Sequence, residues 1–376
     1  MLLASRRLRL ASPFLIAAVG LVAAWVMSVG FSGYFVYLAI GMVTASIATI
    51  GLGVVTGSAG IIALCQLTFA AIGAWVVCWM NVSEAPGGFI VWLLAGGAVA
   101  ALAGVLIGLP ALRLRGVNLA VVTLGFAAAF DVLIVQTQFP GQVDGVSVQR
   151  PEGFTNDRSY FFFAMIVLII AALIVSLLQR SRIGSSWKAV AFSERSTAAV
   201  GQSVALAKLS AFAVSAALGG ISGGLLAGQV GLPYAASFTP IQSLGLYILA
   251  VMSGAYLIDM AIFAGITWVL LPELLRVWGI KQDWGLVVFG FFGIQALAGG
   301  GNLGEAVRGL FTRLSKRRSV AAEGAPTDDR GETVSTSALD VFAVAEAAKP
   351  LPPNAGPVLE VWDLGVSFGA LKALDG

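Results

Sequence analysis

Apolar stretches of membrane-spanning length follow one another along almost the whole chain. A helix needs about 20 apolar residues to cross the hydrocarbon core of a bilayer. Such runs occur at 14–30, 34–50, 57–80, 89–110, 117–137, 159–179, 207–228, 241–257, 260–278 and 284–300. They predict an all-α polytopic membrane protein of about ten transmembrane helices. Two of the divisions rest on little. Only "SGAYLID" separates 241–257 from 260–278, and the run at 57–80 begins with "GSAG", which suits a helix broken near its start.

Composition supports this class. Apolar residues make up 58% of the 376 and charged residues 11%, against about 45–50% and 25% in soluble domains. Mean hydropathy is +0.93. The 46 glycines suit close helix–helix approach in lipid. A net charge of +3 reflects basic loops and points to no nucleic-acid partner. The N-terminus, "MLLASRRLRLASPFLIAAVGLVAAWVMSVG", has a basic start like a signal peptide. Its apolar run is long for one, and a retained first span is expected.

Chemistry is narrowed by what the sequence lacks. It contains no histidine, which removes Ser-His hydrolysis, His-ligated metal and His proton relays. Cys65 and Cys78 lie in apolar helical sequence with no metal-ligand spacing, so neither a metal site nor a disulfide framework is expected. No GxxxxGK[ST] phosphate loop is present, so this sequence does not hydrolyse nucleotide by the Walker route.

Charge placement orients the spans. With ten spans and the N-terminus inside, the inner loops and segments carry Arg6, Arg7, Arg9, Arg113, Arg115, Arg180, Arg182, Lys188, Arg195, Lys208, Arg308, Arg313, Lys316, Arg317 and Arg318. The outer ones carry Arg150, Arg158, Arg276 and Lys281. That asymmetry predicts cytoplasmic termini. The expected division is a membrane domain over 1–310, a basic and then Ala/Pro/Thr/Asp-rich linker over 311–357, and a segment 358–376 with the period-two alternation of strands.

A polar insert, "RSRIGSSWKAVAFSERSTAAVGQSVAL", occupies the loop 180–206. Links between helices are mostly 2–8 residues, so this is more than a connector. Trp187, Val190, Ala191 and Glu194 share one face of a short helix by their i, i+3, i+4, i+7 spacing. Ser193 suits the cap of a second helix at 194–200, which Gly201 would end. The pair could dock a partner or lie on anionic headgroups. Asp131, within an apolar run, is either a substrate or ion site or a boundary carboxylate satisfied by a neighbouring helix. Gln66, Thr68, Gln136 and Gln242 either line a path or bond between helices. The small-residue breaks "GSAG" (57–60) and "MSGAY" (252–256) either expose backbone dipoles to a solute, with Gly254 in the path, or serve close packing.

Three segments resemble the permeases of branched-chain amino acid ABC transporters. "LPALRLRGVNLAVVTLGFAAAF" (109–130) is similar to a span junction of that family. Residues 181–227 resemble its coupling loop and following span at Arg182, Gly184, Glu194, Ala198, Gly201, Lys208, Phe212, Ala216, Gly220 and Gly224. "GSAGIIALCQLTFAAIGAW" (57–75) resembles the third-span motif at Gly57, Gly60, Leu64, Phe69, Gly73 and Ala74. The tail "LEVWDLGVSFGALKALDG" is similar to the opening strands of the family's ATPase, with Phe368 where that protein stacks an aromatic on adenine.

The resemblance implies a type II-like ABC importer permease in a bacterial inner membrane. Its partners would be ABC ATPase subunits or a fused ATPase domain, a second permease subunit in a heterodimer, and a periplasmic substrate-binding protein. ATP and Mg would be bound by the ATPase domain and not by this chain, which would begin that domain without completing it. Coupling would run through Gly184, Trp187, Lys188, Val190, Ala191, Phe192, Glu194 and Gly201. Branched-chain amino acids are the first expected substrates, with urea or short amides as the alternative. The rival class is an ion-coupled secondary transporter using Asp131. The chain departs from the family pattern at Ile61, Ala63 and Cys65, where polarity is lost beside Gln66. It departs again at Ser253-Gly254-Ala255, and at Ala191-Phe192, which replace a basic and an acidic residue.

Overall fold

The computed structural model describes residues 33–299, apart from 115, 256, 282 and 283, together with 366–368 and 371–374. The run at 14–30 and the linker at 311–357 lie outside the described residues.

Eleven α-helices are described. They are α1 (Gly33–Leu52), α2 (Gln66–Val82), α3 (Gly88–Ala111), α4 (Val117–Thr137), α5 (Asp157–Arg180), α6 (Arg182–Phe192), α7 (Glu194–Ala199), α8 (Val204–Val230), α9 (Pro240–Ser253), α10 (Ile258–Val277) and α11 (Trp284–Gly299). A π turn, Gly53–Ser58, continues α1, and a 3-10 turn, Ala235–Phe238, precedes α9. Seven segments are long and apolar enough to cross a membrane: Gly33–Ser58, Gly88–Pro110, Val117–Thr137, Asp157–Arg180, Val204–Val230, Ala235–Ser253 and Ile258–Val277. Helices α2 and α11 occupy two more of the expected runs but have only 17 and 16 residues.

One boundary needs correction. The run expected to span from 57 to 80 does not start as a helix. Residues 53–58 form the π turn, 59–65 are non-helical, and α2 begins at Gln66. Hydropathy registers apolar side chains and not backbone conformation. Gly57 and Gly60 remove the side chains that would hold a regular helix, and Gly60 takes a left-handed φ of +67°. Non-helical backbone at membrane depth is tolerated only where protein surrounds it. Here Ala59, Ile61, Ala63, Leu64 and Cys65 are all buried.

Helix α8 is the axis of the bundle, and its closest partners are α3 and α2. Small residues make that approach possible. A Cβ on Gly220 would lie 2.8 Å from the Gly96 carbonyl oxygen and 3.2 Å from the Gly97 Cα. One on Gly96 would lie 2.9 Å from the Gly73 carbonyl oxygen. In lipid, close packing of this kind replaces the hydrophobic drive as the force joining helices. Outward faces are aliphatic, as at Leu94, Leu102 and Leu106 of α3 and Ile166, Ile170 and Ile174 of α5.

The basic residues segregate as expected. Arg113, Arg180, Arg182, Lys188, Arg195 and Lys208 lie at the end of the bundle where α3 and α5 finish and α8 starts. At the opposite end the 138–156 loop is firmly held. Asn81 donates to the Ser147 carbonyl (3.2 Å) and accepts from Gln149 N–H (2.9 Å). The Arg150 guanidinium donates to the carbonyls of Gly228 and Gln229 and to Asp157 (2.9, 3.1 and 2.7 Å). A cation there suits the negative end of the α8 dipole.

In a separate unit, Arg318–Gly376, strands β1 (Val366–Phe368) and β2 (Leu371–Leu374) form an antiparallel hairpin, with Phe368 opposite Leu371. These seven residues fall within the alternating pattern of 358–376, and the rest of that segment lies outside the described residues.

Candidate functional site

At the basic end, α6 and α7 form a platform across the bundle. Ser181 caps α6 by accepting from Ile183 N–H, and Ser193 caps α7 by accepting from Ser196 N–H. Gly201, with φ +79°, follows the end of α7. The spacing argument holds in part. Trp187 is fully buried and Val190 nearly so, and the Trp187 indole N–H donates to Ser210 Oγ at 2.9 Å. The helix nevertheless ends at Phe192, because Ser193 turns the backbone extended to start α7. Phe192 is therefore 91% exposed, and Val200 and Leu206 are exposed beside that end at 79% and 69%. Gly184 permits the sharp departure from α5, since a Cβ there would sit 2.5 Å from the Gln179 Cα. Lys188 points to solvent.

Glu194 opens α7 and pairs with Lys208 of α8, Oε1 to Nζ at 2.9 Å. The lysine side chain is 3% exposed and the glutamate 20%. Burying two charges is costly, and their mutual attraction is what makes Lys208 tolerable there. The pair pins the platform to the central helix. It borders a cleft of about 360 Å³ whose other walls are Ala59–Ile62, Leu114, Gly116, Leu119 and Val190–Arg195. The platform thus rests directly on the chain break between α1 and α2.

That break leads to a buried polar junction. Gln66 donates from Nε2 to the carbonyls of Ala48 (3.0 Å) and Ser215 (3.2 Å), and its Oε1 accepts from Ser215 Oγ (2.9 Å). Leu64 N–H donates to Thr123 Oγ1 (3.1 Å) and Leu67 N–H to Ser243 Oγ (3.3 Å). The start of α2 is therefore tied to α1, α4, α8 and α9. Each bond satisfies a backbone or amide group that the interrupted helix leaves open.

Along most of its length the chain matches one family of transport proteins. The model for "Branched-chain amino acid transport system / permease component" matches residues 33–297. The chain belongs to that permease family. Two curated relatives are 32% identical to it over 256 residues. Both are named high-affinity branched-chain amino acid transport system permease protein LivM, one from Escherichia coli (strain K12) and one from Salmonella typhimurium (strain LT2). Each alignment covers 60% of this chain and 60% of the relative, so the permease spans less than two thirds of the relatives it matches. No solved structure matches the chain.

The expected pathway residues of the permease lie on several elements. Gln66 and Thr68 are buried, Asp131 is half-buried on α4, Gln136 is exposed near its end, and Gly254 is buried at the turn after α9. No hydrogen bond joins any two of them among the described residues. Gln66 bonds between helices, one of the two roles its sequence position suits. Gly254, with φ +69°, ends α9, and the turn it makes packs on the π turn, Ala255 against Gly53. The two small-residue breaks in the sequence therefore meet in space. Thr123, Ser215 and Ser243 were missed as site residues. Thr123 lies in the "AVVTL" of the 109–130 motif. Ser215 and Ser243 are single hydroxyls in apolar runs, and nothing local distinguishes them.

Proposed function

We propose that this permease is the membrane subunit of an ABC importer for branched-chain amino acids, driven by a cytoplasmic ATPase that docks on the 184–201 platform. The observation that carries this is the platform: Trp187 and the Lys208–Glu194 pair fix it to the bundle, while Phe192 projects outward. An exposed aromatic backed by a buried anchor suits a protein partner. The replacement of a charged pair by Ala191-Phe192 suits a more apolar ATPase contact. Basic residues at that end support a cytoplasmic position by the positive-inside rule. The membrane is then the bacterial inner membrane, with both termini inside.

The substrate class comes from the LivM relatives, with urea or short amides as competitors for the same architecture. The remaining partners are a second permease subunit and a periplasmic substrate-binding protein that meets the well-anchored 138–156 loop. ATP and Mg belong to the ATPase domain. The 358–376 segment is the start of such a domain, and Phe368 its candidate adenine-stacking residue. The ion-coupled alternative rests on Asp131, a half-buried carboxylate on a membrane helix.

Vesicles containing the assembled transporter separate the two. We expect leucine uptake to require internal ATP, to ignore a collapsed proton gradient and to survive Asp131→Asn. Uptake that follows the proton gradient and is abolished by Asp131→Asn would replace the ABC reading with the ion-coupled one.

A further inference from the structure

The run Gly57-Ser58-Ala59-Gly60 plays no part in docking itself, yet it lies between the platform and the buried junction. It is held at both ends. Gly53, at the start of the π turn, sits so close to the Ala255 backbone that a side chain there would overlap the carbonyl. Ser58 Oγ accepts from Gln179 Nε2 of α5 at 3.2 Å. Gly60 touches the platform, where a Cβ would lie 3.1 Å from the Ala191 Cβ and 3.2 Å from its Cα.

Between these points the segment is loosely surrounded. On one side is a cavity of about 250 Å³ lined by Leu52, Thr56, Gly57, Ala250 and Gly254 among others. The Thr56 hydroxyl is buried with no hydrogen-bond partner. On the other side is the cleft of about 360 Å³ under the platform. Well-packed interiors hold few voids, and π turns inside helices are frequent at functional sites. From Gly60 a short buried stretch runs straight to Gln66 and its bonds to α1 and α8.

We infer that residues 53–65 transmit movement of the platform to the junction, with Gly53 as pivot and Gly60 as the residue through which displacement of Ala191 enters. This rests on the reading of 184–201 as the ATPase-coupling loop. Gly60 is a positioning residue: it touches no substrate and acts through the placement of Gln66. A push on Ala191 has no slack to take up at Gly60, whereas the flanking voids let the segment shift as a unit.

Substitutions on the platform side of the contact test this in the assembled transporter, read as amino acid moved per ATP hydrolysed. Gly60 itself is left unchanged, because its φ of +67° strains any side chain. Ala191→Gly opens a gap at Gly60 and Ala191→Val adds bulk there, and each should lower the ratio at least about fivefold, the lower edge of ordinary coupling between sites. Ala191→Ser, nearly the same size as alanine, should keep the wild-type ratio. Ala191→Gly and Ala191→Val variants with the wild-type ratio, or an Ala191→Ser variant as poor as they are, overturn the inference while leaving the coupling loop in place. A wild-type ratio indifferent to deletion of 185–200 overturns both.

Discussion

Lys208 shows how one residue can be both charged and buried. Its ammonium group pairs with Glu194 at 2.9 Å, with the lysine side chain 3% exposed and the glutamate 20%. We expect Lys208→Met to destabilise the purified permease by less than the ~3–5 kcal/mol of a fully buried charge left alone, read as a lowered melting temperature in detergent. Lys208→Met combined with Glu194→Gln should recover most of that loss. A double variant no better than the single one would mean that the pair contributes nothing beyond packing. At this scale much was legible beforehand. Trp187 and Val190 shared a face by spacing, and Ser193 and Gly201 marked the ends of α7. The partner of Glu194 was not legible, because Lys208 reads as the last basic residue of a loop until α8 is seen to carry it into the interior. Thr123 and Ser243 were invisible for a similar reason: their partners, the backbone N–H groups of Leu64 and Leu67, are left open by a break whose form and length the sequence does not give.

At the scale of elements, glycine decides what approaches what. Helices α2, α3 and α8 meet at Gly73, Gly96 and Gly220 with no room for side chains. Gly220→Leu would force the backbones apart, at a cost of about 3 kcal/mol or more. We expect the variant to be recovered from membranes in low yield and to melt well below wild type. A stable, well-expressed Gly220→Leu permease would contradict this packing. Most spans were readable within a few residues, since length and hydropathy fix them. The exception was 57–80, whose first third is a π turn and buried non-helical chain. "GSAG" signalled the break but not its form. The pairing of that break with the turn at Gly254 needed the tertiary structure, because no local pattern links residues two hundred positions apart.

For the whole molecule, class and family were plain from the sequence: apolar runs pointed to the membrane and three motifs to the permease family. What composition could not give was the function of the polar insert, which suited a partner protein and a lipid surface equally. Burial is what supports the proposed protein partner. A helix lying on headgroups would present its Trp to lipid, whereas Trp187 faces the bundle and Phe192 faces away. The central claim is therefore that the 184–201 platform joins ATP turnover to transport. It is tested most directly by replacing residues 185–200 with a flexible Gly/Ser linker and measuring leucine uptake and ATP hydrolysis in the same vesicles. The account predicts that uptake is lost while the ATPase continues to turn over unstimulated. Uptake at the wild-type rate per ATP after that replacement would contradict it.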